Sequence, residues 1–229
     1  SLLRGGLNIT HAVFVHGYDV ALSDTSRMAG VQRMLSDVRD SLAIQTIVVS
    51  TNLREHPAFR DSNWEHAHGS ALAAIGHLLG GVIGRLVISS SYPYWDFSPW
   101  GSSWLLDSLW SSRSVRIIHG DASLWRADKL VEISREPLVR NHLQVCWENL
   151  SPSGNCGICE KCIRTMISLE LAGELRDFPA FDIGMPLAEL IDRAKPLKET
   201  ITSVYEMFLN RELDPQIKTA IRRLFDRSR

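Results

Sequence analysis

All four cysteines of the 229-residue chain lie in one stretch, CWENLSPSGNCGICEKCIR, residues 146–164. Their spacing is Cys146-x9-Cys156-x2-Cys159-x2-Cys162. Thiolates are soft ligands, and two-residue gaps let successive sulfurs converge on one tetrahedral ion such as zinc. Gly154, Asn155 and Gly157 supply the tight backbone such a knuckle needs. An iron–sulfur cluster also takes four thiolates, and disulfides or unlinked buried cysteines are the remaining readings. The chain shows no secretory signal, and the pairs are too crowded for a disulfide framework, so the spacing favours zinc. With thiolates at all four positions no place is left for a reacting water, so the expected metal is structural.

Other polar residues gather at the ends of short apolar runs. HAVFVHGYDV (11–20), IQTIVVSTN (44–52), RLVISSS (85–91) and VRIIHGD (115–121) read as strands. Between them lie helical patterns at 25–43, 66–81, 104–112 and 123–134. This alternation predicts an α/β fold, a mostly parallel sheet with helices on both faces. In such sheets ligands bind beyond the carboxyl ends of the strands. The ends here are His16-Gly17-Tyr18-Asp19, Ser50-Thr51-Asn52, Ser89-Ser90-Ser91 and His119-Gly120-Asp121. His16, Gly17, Ser89 and Ser90 are therefore candidate cofactor-binding residues. A strand-end turn and small-residue packing are the plainer readings. His68 and His77, on an apolar helix, read as core or helix-end histidines. Five of the seven tryptophans fall between residues 95 and 125; most read as core, and Trp100 on a loop is a candidate to stack on a substrate ring. After Pro179 the chain becomes charged and amphipathic, which predicts two or three packed helices. The expected organisation is an α/β domain over 1–178, with the knuckle at 146–162, and a C-terminal helical extension over 179–229.

A formal net charge of −1 gives no global positive field for nucleic acid. No apolar run reaches the roughly 18–20 residues of a membrane helix. The expected location is cytoplasmic, with no membrane partner and nucleic acid disfavoured; homo-oligomerisation stays open.

CGICEKCIR resembles the CGxCxxCxxR stretch of 7-cyano-7-deazaguanine synthases, members of the PP-loop ATP pyrophosphatase superfamily, and NCGICEKCIRTMISLELAG is closer to zinc-knuckle relatives of uncertain substrate. ISSSYPYWDFSPWGS (88–102) looks like that family's strand and substrate loop, with Asp96-Phe97-Ser98 matching its Asp-aromatic-Ser signature. The resemblance implies a Rossmann-like sheet, ATP and magnesium. It implies catalytic roles for Arg164 and Asp96, and substrate contacts at Ser98 and Trp100. For Arg164 the plainer reading is an ion pair with Glu160. Two features depart from the family. The Ser-Gly-Gly-x-Asp-Ser loop that cradles pyrophosphate is not among these residues, and SLLRGG would be the tail of the helix after it. The first strand and that loop are thus expected upstream. The family's Arg-Asn after the third strand is here Thr51-Asn52, followed by Leu53-Arg54.

The implied activity is ligase-like. ATP activates a carboxylate or carbonyl oxygen as an adenylate with release of pyrophosphate, and a nitrogen or sulfur nucleophile then displaces AMP. The partners would be ATP and a small-molecule or peptide substrate. A zinc-stabilised binding module without catalysis, contacting protein or nucleic acid through a basic tail (Arg222, Arg223, Arg227, Arg229), is the rival reading.

Overall fold

A computed structural model describes residues 2–3, 6–146, 148, 154–182 and 184–229. Ser1, Arg4 and Gly5 of the expected helix tail, and Trp147 and 149–153 of the knuckle loop, lie outside the described residues. The chain divides into two compact units, 1–28 with 38–126, and 29–37 with 127–229. The division thus falls after residue 126, where the sequence reading put it at 178, and the knuckle belongs with the C-terminal helices.

The first unit holds four strands: β1 (His11–His16), β2 (Gln45–Ser50), β3 (Arg85–Ser89) and β4 (Arg116–Gly120). β1 pairs in parallel with β2, and β3 in parallel with β4. The single sheet expected from the alternation is thus, among the described residues, two two-stranded parallel sheets. Helix α1 (Thr25–Leu42) links β1 to β2, and its middle belongs to the second unit. Asp24 caps it by accepting from Arg27 N–H at 2.9 Å. A short α2 (Pro57–Arg60) leads into α3 (Trp64–Leu78), whose Asn63 cap accepts from Glu65 N–H.

α3 is apolar on two sides because it backs both sheets. Ala71 and Ile75 pack with Tyr18, Val13, Val15 and Val49. Ala73 packs with Ile88, Val115 and Ile117, and Leu72 touches both clusters. The helix expected over 104–112 is instead a 3-10 turn at Asp107–Trp110, whose Asp107 side chain anchors it to the end of β4.

The second unit is helical: α4 (Arg126–Ile133), α5 (Pro137–His142), α6 (Glu160–Leu171), α7 (Leu187–Arg193), α8 (Thr202–Leu209) and α9 (Pro215–Ser228), with Arg126 itself on the first-unit side of the division. α9 shows why such a helix needs a partner. Pro215 starts it, Asp214 accepts from Gln216 N–H, and Ile217, Ala220, Ile221 and Leu224 form one buried stripe. Each large member of that stripe contributes about 1.5–3 kcal/mol by leaving water. α9 packs on α7, where Arg223 Nε meets Asp192 at 2.8 Å. α6 buries seven of its twelve residues, so it is enclosed rather than lying on the surface. Among the described residues no helix is long and apolar enough to cross a membrane.

Candidate metal centre and strand-end residues

The four cysteine sulfurs lie within 4.8 Å of one another. Cys156 and Cys162 Sγ are 3.9 Å apart, as are Cys159 and Cys146 Sγ. Tetrahedral coordination at a Zn–S distance of about 2.3 Å places sulfurs about 3.8 Å apart, so the pocket already has the dimensions of a tetrathiolate site. All four cysteines are free thiols.

Local sequence explains the convergence. Gly154 and Gly157 adopt φ of 115° and 74°, which turn the chain twice in four residues. Asn155 lies between them and locks the knuckle to the incoming segment. Its Oδ1 accepts from Val145 N–H at 2.9 Å and from Cys146 N–H at 3.3 Å, while Nδ2 donates to Leu143 C=O at 2.8 Å. These side-chain bonds, not sheet pairing, hold residues 143–146, which form no strand. Cys159 caps α6, and its N–H donates to Cys156 Sγ at 3.3 Å. Amide donors of this kind favour thiolate over thiol.

The Cys159 thiol is pushed down to about 5, chiefly by the hydrogen bond from Cys162. That same bond, helped by burial, pushes Cys162 up, and burial raises Cys156. A divalent metal binding here would displace the thiol protons.

Beside the ligands lies a polar group the cysteine spacing does not disclose. Arg164 Nε is 3.2 Å from Glu160 Oε1. Burial raises the Glu160 carboxyl. Tyr205 is fully buried near this pair, and desolvation holds its phenol well above the ordinary value. Arg164 therefore has a carboxylate partner inside its own helix, one turn away.

The remaining sequence candidates belong to the first unit. His16 Nε2 bonds Ala21 C=O at 3.0 Å, bracing the turn after β1. Gly17 has φ of 106°, and a Cβ there would lie 1.8 Å from Thr51 C=O; its backbone packs on the end of β2. Ser90 Oγ donates to Asp121 C=O at 2.7 Å, tying the ends of β3 and β4 together. Ser89, at the last position of β3, is exposed. Asp96 Oδ1 accepts from Ser98 N–H at 2.9 Å, an Asx turn that shapes the loop. Trp100 meets His68 and Tyr92 edge to face at centroid distances of 5.2 and 5.6 Å. Burial lowers the His68 pKa. Arg54 donates to Tyr18 C=O at 2.8 Å, and its guanidinium lies 4.4 Å from the Trp64 ring centroid.

The sequence reading missed Asp107. Its side chain is closed to solvent and accepts from Ser102 Oγ at 2.8 Å and from Ser103 N–H at 3.3 Å. His119 Nδ1 lies 2.8 Å from the same carboxylate. The available signal was an aspartate inside the apolar run WLLDSLW, since a buried charge demands partners. That carboxylate anchors the 3-10 turn at Asp107–Trp110 to the end of β4.

No protein-family model matches the chain, and no curated protein and no solved structure matches it.

Proposed function

We propose that this chain forms the α/β body of an ATP-using, ligase-like enzyme of the PP-loop kind, stabilised by a structural zinc. The observation that supports the reading is the pair of parallel two-stranded sheets joined by helical connections. β1 pairs in parallel with β2 and β3 with β4, and α3 packs against both pairs. Open α/β sheets bind ligands beyond the carboxyl ends of their strands. His16-Gly17 ends β1 and Ser89-Ser90 ends β3, so those residues would face the adenosine side of a nucleotide. The loop carrying Asp96, Ser98 and Trp100 follows β3 and would cover the acceptor.

In the proposed reaction a carboxylate or carbonyl oxygen attacks the α-phosphorus of ATP. The bond to pyrophosphate breaks, and a nitrogen or sulfur nucleophile then displaces AMP. The work of the chain is orientation and exclusion of water. Magnesium, if bound with the nucleotide, would supply charge neutralisation for the pyrophosphate. The zinc has no part in these steps.

Because the Ser-Gly-Gly-x-Asp-Ser loop is not among these 229 residues, the strand ends would recognise the nucleoside and not the triphosphate. AMP titrated into zinc-loaded protein should bind with a Kd of about 1 mM or below. Amide shift changes should cluster at 16–18, 89–91 and 119–121, and ATP should bind no more than about threefold tighter. Robust ATP turnover by residues 1–229 would overturn this division of labour. Silence at the strand ends with the zinc site intact would favour a non-catalytic zinc-stabilised module.

A further inference from the structure

Within the first unit, the segment 94–110 is built inside out. Eight of its large apolar side chains lie in water, from Trp104 at 38% exposed, through Trp95 at 57% and Phe97 at 72%, to Leu109 at 76%. The aspartate of its 3-10 turn, Asp107, is closed to solvent beneath them. The turn thus sends its charge inward, to Ser102 and His119, and leaves Leu105, Leu106, Leu109 and Trp110 outside. The two ends of the segment form one surface, because the rings of Tyr94 and Trp104 meet edge to face at 5.9 Å. That surface is held from behind. Gly101 N–H donates to Glu65 C=O and Tyr94 N–H to Ala122 C=O, each at 2.8 Å. His77 Nε2 bonds Trp110 C=O at 2.7 Å.

Apolar side chains scattered singly over a surface need no explanation, but a contiguous patch does. A fully exposed side chain of this size offers about 200 Å², so the eight leave on the order of 800 Å² in water at these exposures. The largest patch on an ordinary monomer is about 300–600 Å². One side of a standard protein interface buries about 800 Å². Charge narrows the occupant. Between 92 and 112 the charged residues are Asp96 and Asp107. Asp107 is buried, and Asp96 is half-buried with its Oδ1 holding Ser98 N–H. A membrane surface would call for lysine or arginine beside the aromatic rings, and 92–112 has neither. What fits is another aromatic, nearly uncharged surface, and the chain itself carries one. A formal net charge of −1 gives two copies no long-range repulsion.

We propose that 94–110 is the face through which two copies of this chain associate about a twofold axis. In such a contact both sides use the same patch. Trp95, Phe97, Leu105, Leu109 and Trp110 would pack among their counterparts. The two faces together would bury about 1,600 Å², the size of a standard interface. Aromatic residues in the centre and few charges are the composition of a homodimer contact. Trp95 and Trp110 are of the residue type that most often carries the binding energy. On the reading proposed above, the loop bearing Asp96, Ser98 and Trp100 lies in this face, so the partner copy would also shield the acceptor from water. The association itself does not rest on that reading, which is tested with nucleotide at the strand ends.

Sedimentation equilibrium of zinc-loaded protein should give a mass of twice 25.7 kDa, with a dimer Kd of about 10 μM or below. Phe97→Lys and Leu109→Lys each bring like charges into the contact, and each should raise that Kd about 100-fold or more. Leu42→Lys makes the same kind of change at the end of α1, where the side chain is 42% exposed. It should leave the Kd within about twofold. All three side chains are exposed, so Tm should hold within about 3 °C. Hydrogen exchange of the unaltered protein needs no variant. Over 94–110 it should slow about tenfold or more as protein rises from about 1 to 100 μM. Should a variant lose its fold, this measurement decides alone. A protein still monomeric at about 100 μM would overturn the proposal, including one that instead binds vesicles or another protein. So would a dimer that both lysine variants leave intact, protection lying outside 94–110, or assembly that grows past two copies.

Discussion

His119 donates its Nδ1–H to Asp107 Oδ2 at 2.8 Å, with both side chains almost closed to solvent. The direction follows from the carboxylate, which already accepts from Ser102 and Ser103 and has no proton to give. The bond fixes the imidazole tautomer and ties the 102–107 loop to the carboxyl end of β4. Asp107→Asn replaces an acceptor by an amide facing established donors. It should cost about 2–4 kcal/mol in urea unfolding, with an unchanged denaturant slope. A loss under about 0.5 kcal/mol would mean that the loop is held by other contacts.

The tetrathiolate cluster should carry one zinc per chain by elemental analysis of freshly purified protein. Apparent binding free energies of structural zinc are about 10 kcal/mol or more, comparable to the whole stability of a domain. Replacing any one of Cys146, Cys156, Cys159 or Cys162 by Ala should therefore lower the metal content, the solubility and the Tm, and all four should do so similarly. A strong chelator should reproduce the effect in the unaltered protein. A single cysteine whose loss abolished an activity while leaving Tm intact would contradict the structural role.

Acid should weaken the second unit through Glu174. Its carboxylate accepts from Arg135 Nε at 2.7 Å and is bound by Arg140, and the hydrogen bond from Arg135 is the main cause that holds its pKa below the ordinary 4.5. A depressed carboxylate stabilises the fold fully above its unfolded pKa, and that stabilisation is lost as pH falls through the folded value. The stability difference between the unaltered chain and Glu174→Gln should thus be constant from neutrality down to pH 4.5 and shrink below it. A difference that grew on acidification would reverse the sign assigned to this group.

Two backbone positions should respond in opposite directions. Ala43 ends α1 in the left-handed region at φ 54°, where a Cβ is unwelcome. Ala43→Gly should stabilise by about 0.5–1 kcal/mol. Gly69 of α3 lies where a Cβ would meet Gly101 C=O at 1.8 Å, and Gly101 N–H donates to Glu65 C=O at 2.8 Å. Gly69→Ala should push the aromatic loop off α3 and cost about 2 kcal/mol or more. Thermal unfolding of both variants in parallel checks the pair.

Cys146, Cys156, Cys159 and Cys162 were legible as one metal site because their geometry is local. Two-residue gaps and turns at Gly154 and Gly157 bring the sulfurs together with little help from the rest of the chain. The α/β alternation was legible for the same reason: the apolar period of each strand and helix acts within a few residues. Tertiary structure decided what distant residues do to one another. It closed Trp100 against His68 and Tyr92; the Arg164–Glu160 pair, one helical turn apart, was already legible in the sequence. It tied the 3-10 turn at Asp107–Trp110 to β4 through His119, a dozen residues away. It also chose which strands pair. Alternation in sequence says that a strand has two edges, but only the folded chain determines that β1 uses one of them for β2.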